Sequence, residues 1–382
     1  MTLTQGPGDV GGWFAERYGR EPDGIWFAPG RVNLMGGPDY TEMFVLPFAI
    51  GAGVTVAAAR RPDRRIALIS RQEPAERVLL DLDPLEPGSV PGWTAYPAGV
   101  AWALGQAGHL SGGADIAVDA DLPAGAGLSS SAALEGAVAL ALTELYQVPV
   151  PRDELAVLTR RAENEFVGVP SGIMDQFAVL LGQAGHALLL DCRDLSWTPV
   201  PLDPAGAGLE LLVIDTGTRH AIGDGRYGER RRACEQAATA LGARSLRDIG
   251  EADLARLADP SLRRVAGHVL AERRRVLQAA GLLRAQDYAA AGALLTTSHE
   301  SMRDRFGASW PQADEAVAAA VDAGAAGARM TGGGFGGCVV ALTPADRAAA
   351  VRAAVAGRFA GHQWTAPGYV DATPSGAARR VR

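Results

Sequence analysis

Residues 121–142, DLPAGAGLSSSAALEGAVALAL, join a glycine-rich turn to three consecutive serines and an Ala/Leu-rich run with helical spacing. The spacing predicts a long helix over 129–147, so the turn delivers the serines into its first turn. A helix N-terminus presents unpaired N–H groups and the positive end of the helix dipole, and residues 125–131 would therefore cradle phosphates. A Ser cap after a flexible loop is the plainer alternative. No Lys follows the glycines, so this is not a Walker loop. The chain contains no Lys at all, and its 36 basic residues are all Arg. A Schiff-base lysine is excluded, and any cationic catalysis falls to Arg.

Upstream, apolar runs with Gly and Pro breaks over 25–56 and alternation over 65–82 predict strands, and 93–107 predicts a helix. Downstream, an amphipathic helix over 153–166 stops before Pro170, and a short helix covers 172–181. HALLLDC (186–192) and LELLVIDTGT (209–218) look like buried strands, so 186–216 is expected to bridge two domains. Residues 227–329 are expected to be mainly helical. A glycine cluster then runs into the strand CVVALT (338–343). With 382 residues and 48% hydrophobic content the chain buries a large core without metal or disulfide staples. Its net charge of −7 argues against nucleic acid and anionic membranes as partners. There is no apolar run of about 18 residues and no signal-peptide pattern. Cys192, Cys234 and Cys338 are scattered and odd in number, which fits a reducing cytoplasm rather than a disulfide framework.

Three further segments carry chemistry. ARMTGGGFGGCVVAL (328–342) has five glycines in the six positions after Thr331, which permits close backbone approach to a ligand. A tight turn or bulge would use the same glycines, but two such loops in one chain suggest a nucleotide triphosphate held from both sides. In RRAENEFVGVPSGIMDQF (160–177), Glu163 and Asp175 flank a Gly-Pro break that can bring two short helices together. Phosphoryl transfer uses one carboxylate on Mg²⁺ and often another at the acceptor hydroxyl. Each could also be a solvated helix residue, although Asp175 sits among apolar neighbours where an unpaired charge is costly. In APGRVNLMGGPDYTEMFVLPF (28–48), Arg31 and Asp39 stand out from an apolar, glycine-rich stretch as residues lining a polar pocket would. A structural Arg31–Asp39 pair is the alternative.

In this order the segments resemble the GHMP small-molecule kinases, and within them the galactokinases, over nearly the whole chain. GRVNLMGGPDY resembles the galactokinase signature, LPAGAGLSSSAAL the phosphate loop and RMTGGGFGGC the third motif. DTGTRHAIGDGRYGERRRACE, HESMRDRFGASWPQAD and PSGAARRV are also galactokinase-like. The resemblance implies an α+β fold with two domains. Residues 1–200 would form an N-terminal domain resembling ribosomal protein S5, and 201–382 a ferredoxin-like C-terminal domain, with the active site in the cleft between them. It implies ATP-dependent phosphorylation of a sugar at its anomeric hydroxyl, with galactose as the acceptor by descent.

By the same resemblance Asp175 is the base or charge stabiliser, and Arg31 offsets charge on the transferring phosphoryl group. Ser131 and Glu163 would hold Mg²⁺. Gly125, Ala126, Gly127, Leu128, Ser129, Ser130 and Ser131 would bind ATP, with Ser70 near the nucleotide. Gly37, Pro38, Asp39, Gly172 and Tyr227 would line the sugar site. A cytoplasmic monomer with only ATP and a sugar as partners is expected. Where galactokinases read G-E-H-T-D-Y or G-G-H-T-D-Y and then N-x-G-F, this chain reads Gly36-Gly37-Pro38-Asp39-Tyr40 and then Thr41-Glu42-Met43-Phe44. The loop is one residue shorter, an imidazole donor is missing, and Met43 stands at a usual Gly. Lost hydrogen-bonding partners relax or redirect specificity, so galactose stays the acceptor by descent and an altered or relaxed choice of sugar is the sharper hypothesis. A sensor that binds ATP and sugar without turnover is the alternative from another class; retention of Arg31, Ser131, Glu163 and Asp175 argues against it.

Overall fold

β-branched and apolar residues on both faces of residues 24–35 and 44–61 make strands that are covered on both sides, and the structure, a computed structural model, places them side by side at the centre of a large sheet. Residues 9–73, 77–123, 125–219 and 225–382 are described; residues 220–224 of the galactokinase-like 215–235 segment, and 1–8 of the N-terminus, lie outside them. The first half runs α1 (Val10–Tyr18), β1 (Gly24–Met35), β2 (Phe44–Arg61), β3 (Arg65–Ser70), β4 (Val78–Asp81), α2 (Ala95–Gln106), β5 (Gly113–Ala120), α3 (Ser130–Leu145), α4 (Arg152–Arg161), α5 (Met174–Leu181), β6 (His186–Asp191) and β7 (Trp197–Pro201). The second half runs β8 (Leu209–Asp215), α6 (Arg226–Ala240), α7 (Pro260–Arg284), α8 (Tyr288–Ser301), α9 (Pro311–Asp322), β9 (Gly327–Met330), β10 (Cys338–Pro344), α10 (Ala348–Gly361), β11 (Gly368–Asp371) and β12 (Arg379–Arg380).

The first sheet has the order β12-β1-β2-β5-β3-β4, with β6 paired to β2 and to β7. β3 and β5 are parallel; the other pairs are antiparallel. The second sheet is antiparallel, ordered β11-β8-β10-β9. β6 therefore belongs to the first sheet and β8 to the second, so the chain crosses between the two halves within the expected 186–216 stretch. The last strand departs from a simple division near residue 200. β12 returns to the first sheet, where Trp26 pairs with Arg380 and covers the edge of β1.

α3 is apolar around nearly its whole circumference because it is enclosed by β1, β2, α2 and α5. The helix predicted over 153–166 is interrupted: α4 ends at Arg161 and the chain continues as one π-helical turn, Ala162–Val167, closed by Gly168 at φ +85°. Residues 327–330 are a strand where mainly helix was expected, since β10 offers a ladder to pair with. α7 starts with a cap from the Asp259 carboxylate to the Ser261 N–H and Pro260 in its first turn. Its early residues Val265 and Val269 sit in the core of the second half, while Val276 and Leu283 sit in that of the first. Each such buried aliphatic contributes about 1.5–3 kcal/mol, so α7 fastens the two halves together.

Candidate active site

Arg31, on β1, is only 5% exposed. Its guanidinium grips Asp175 in the first turn of α5 with two parallel bonds, Nε to Oδ1 and Nη2 to Oδ2, both 2.7 Å. Nη1 donates to the Gly127 carbonyl at 2.6 Å, and the Arg31 N–H donates to the Leu128 carbonyl at 3.1 Å. One side chain thus ties together β1, the loop before α3 and α5, with the fork geometry only Arg supplies. The alternative Arg31–Asp39 pair is not formed. Asp39 Oδ2 instead accepts the Met174 N–H at 3.0 Å. Gly172 packs against the Asp39 carboxylate so closely that a Cβ would overlap it. Burial raises the Asp39 carboxyl above its ordinary range, against the Met174 bond, and the nearby Asp175 charge adds to the rise.

The loop before α3 uses left-handed backbone at Gly125 (φ +68°), Gly127 (φ +74°) and, without a glycine, Ser129 (φ +61°). Ala126 and Leu128 turn inward and are buried. A non-glycine residue held in this region marks imposed strain. The ordinary Ser cap is overturned here: Ser129 makes no side-chain cap bond, and its Oγ donates to Asp175 Oδ2 instead. Ser130 opens the helix and Ser131 follows, its hydroxyl near enough to Glu163 to favour the charged carboxylate. The third-motif glycines face this loop. A Cβ on Gly337 would lie 2.9 Å from the Ala126 carbonyl oxygen, and one on Gly332 3.3 Å from that of Gly127. The two glycine-rich loops therefore meet backbone to backbone.

Glu163 lies on the π turn, a feature often found at functional sites. Its Oε2 accepts from Ser171 Oγ at 2.6 Å and from Gln176 Nε2 at 2.9 Å, and burial lifts its carboxyl above the usual range. Among the described residues there is no group of three or more His, Cys, Asp or Glu able to cage a metal. The Ser131 hydroxyl and Glu163 carboxylate are hard oxygen donors side by side. They suit Mg²⁺, which completes its shell with phosphate oxygens and water.

Tyr227, on α6, meets Tyr40 edge-on with ring centroids 5.4 Å apart and lies under Gly333. Burial pushes its phenol well up, and the charges of Asp39 and Asp175 act in the same direction. Gly37 and Pro38 are half-buried and bring no polar side chain to the site; Gly37 rests on α7 beside His268 and Glu272. Met43 turns away from this loop into the core of the second half. Ser70 ends β3 and hydrogen-bonds with Gln72 at 3.3 Å, not with any described residue of the 125–131 loop.

Three further residues of this network lie inside the quoted motifs but are not singled out there. Thr331 Oγ1 accepts the Asn33 N–H at 3.0 Å and donates to the Asn33 carbonyl at 3.1 Å, joining the third motif to β1. Glu135, fully buried on α3, has its carboxyl pushed well up by burial and by Glu163. Its signal was available: it is the lone acid in the apolar run AALEGAVALAL.

Three family models match the chain: the N-terminal domain of GHMP kinases over residues 95–183, the galactokinase galactose-binding signature over 13–60, and the GHMP kinase C-terminal domain over 279–361. A Streptomyces coelicolor galactokinase is 48% identical over 380 residues, covering 98% of both chains. A Mycobacterium tuberculosis galactokinase is 45% identical over 84% of this chain and 89% of its own. The crystal structure of Lactococcus lactis galactokinase complexed with galactose superposes with a TM-score of 0.92 at 31% identity, covering 97% of this chain and 98% of that one. A mevalonate kinase, at 17% identity and a TM-score of 0.63, shares the fold. With both domains, the sugar signature and near-full-length similarity in one chain, this protein belongs to the galactokinases of the GHMP kinase family.

Proposed function

We infer that the chain is an ATP-dependent galactose 1-kinase. The observation that carries this is the joining of the galactose-binding signature to the glycine-rich loop before α3 and to Asp175 through Arg31, and to the third motif through Asn33 and Thr331. In the reaction the O–H bond of the anomeric hydroxyl breaks, its oxygen forms a bond to the γ-phosphorus, and the bond to the β-phosphate oxygen breaks to release ADP. Asp175 receives the hydroxyl proton or steadies its partial charge. Its orientation is fixed by the Arg31 fork and the Ser129 hydroxyl. Arg31 offsets charge on the phosphoryl group, and backbone N–H groups at the α3 N-terminus receive the phosphates. Ser131 and Glu163 would hold Mg²⁺, which would supply charge neutralisation on the phosphates when bound. Asp39, fixed by Met174 and Gly172, and Tyr227 orient the sugar. Binding and alignment account for most of the catalysis, with little covalent work for the protein.

Gly37 and Pro38 favour a second feature, a relaxed or redirected choice of acceptor, because no side-chain donor or acceptor stands at those positions. The three free cysteines accord with a reducing cytoplasm. ADP release measured with Mg·ATP over a panel of monosaccharides tests both readings. Turnover of galactose is expected, together with turnover of some epimers or deoxy sugars. No turnover of any sugar, with ATP and galactose still bound, would instead favour a sensor.

A further inference from the structure

The loop bearing Asp39 is secured at both ends by groups from the second half. At its start Arg329, fully buried, donates from Nη2 to the Gly36 carbonyl at 3.1 Å and from Nη1 to the Leu34 carbonyl at 3.3 Å. At its end three donors converge on the Glu42 carboxylate: Arg193 Nη2 at 2.8 Å, Arg244 Nη2 at 2.8 Å and Ser245 Oγ at 2.9 Å. Arg193 follows β6 of the first half, whereas Arg244 and Ser245 follow α6 of the second. Glu42 has φ +60°, a region a non-glycine side chain adopts only when its surroundings impose it. Its N–H bonds the Asp39 carbonyl at 3.1 Å across a single 3₁₀ turn, Asp39–Thr41. Moving Glu42 therefore moves Asp39. Burial opposes ionisation of Glu42, but the bonds from Arg244, Arg193 and Ser245 prevail and lower its pKa to about 2. The clamp stays charged throughout the neutral range.

An exposed ion pair normally contributes little, and Arg244 is 76% exposed. Here, however, its partner sits at a backbone position that must be held. We propose that Glu42 is a positioning residue for the acceptor sugar: by tying the shortened loop to Arg193 on one side and to Arg244 and Ser245 on the other, it sets where Asp39 stands relative to Met174 and Gly172, and so sets the affinity for galactose without touching it. The clamp stiffens a loop from which one residue has been removed and which carries a Pro and two glycines at its apex.

The inference rests on the galactose 1-kinase reading, and the two fail separately. If the unaltered chain does not phosphorylate galactose, that reading falls; if it does, Glu42→Gln tests the clamp. Glu42→Gln is expected to raise KM for galactose about 10-fold with kcat within about twofold, the pattern of lost binding rather than lost transition-state stabilisation. KM for ATP and the thermal midpoint should stay near the parent values. Arg244→Gln, a substitution of a mostly exposed side chain, should move KM for galactose in the same direction by about threefold. Added NaCl should raise KM for galactose in the parent more than in Glu42→Gln, because screening acts on the ion pairs. An unchanged KM for galactose in Glu42→Gln overturns the proposal. So does a joint fall in kcat, ATP affinity and thermal midpoint, which would make Glu42 a general structural residue.

Discussion

Asp175 and Arg31 are each other's main partners, so substitutions at either must be read against the pair. Asp175→Asn keeps the shape and one carbonyl acceptor for Arg31, and kcat is expected to fall about 100-fold or more while ATP binding persists. Near-parental turnover would remove Asp175 from the chemistry. Arg31→Lys keeps the charge but cannot make two parallel bonds to Asp175 while also reaching the Gly127 carbonyl. A loss of about 100-fold in kcat is expected, checked by steady-state kinetics alongside circular dichroism. Glu163→Gln removes the charged oxygen beside Ser131, and the Mg²⁺ concentration for half-maximal rate should rise about 10-fold. A magnesium titration with ATP saturating decides this. Glu163 lies among Arg161, Asn164 and Glu165 and is marked only by the family resemblance, whereas Arg31 and Asp175 stand out in the sequence because each is a charge among apolar or glycine neighbours. The strained Ser129 does not: three identical serines conceal which one leaves helical geometry to reach Asp175.

At the scale of elements, the segments around the sugar site act through backbone placement. Gly172, which precedes α5, has no room for a side chain because Asp39 occupies that space. Gly172→Ala should therefore push Asp39 off the Met174 N–H and raise KM for galactose about 10-fold or more, leaving KM for ATP unchanged. An unaffected KM would show that Asp39 does not set sugar affinity. The apex of the loop allows the reverse experiment. Replacing Pro38 by His-Thr restores the usual length and one imidazole, and each hydrogen bond gained to a sugar hydroxyl is worth about 0.5–1.5 kcal/mol. Selectivity for galactose over deoxy and epimeric sugars should sharpen, read as kcat/KM. Equal selectivity in both proteins would place specificity with Asp39, Tyr227 and the backbone. The shorter loop was visible in the sequence as a missing His-Thr. Its anchoring was not, because Arg193, Arg244 and Arg329 lie far away along the chain and look like ordinary arginines.

On the scale of the whole molecule, α7 and β9 bring His268 and Arg329 into the seam between the halves. His268 is fully buried, its Nδ1 lies 2.8 Å from Ser301 Oγ, and its Nε2 has no partner among the described residues. Burial lowers its pKa from 6.5 to about 4; Glu272 opposes the shift, while Arg275, Arg329 and Arg305 reinforce it. As pH falls below about 6.5 the unfolded chain takes up a proton that the folded chain refuses, so stability should decline until about pH 4. His268→Gln keeps a polar partner for Ser301 without titrating, and its urea midpoint should depend less on pH across that window. The same slope in both proteins would exclude His268 as a contributor. By itself the sequence determined the helix after the glycine-rich loop, the strands with two apolar faces, the crossing between halves and the family, since periodicity, glycine punctuation and motif order are properties of contiguous residues. Only the tertiary structure decided that Arg31 pairs with Asp175 rather than Asp39, that β12 returns to cover β1, and that Met43 serves the second core. Those choices follow from which distant surfaces exclude water together and which buried charges must find partners, and neither is written in local spacing.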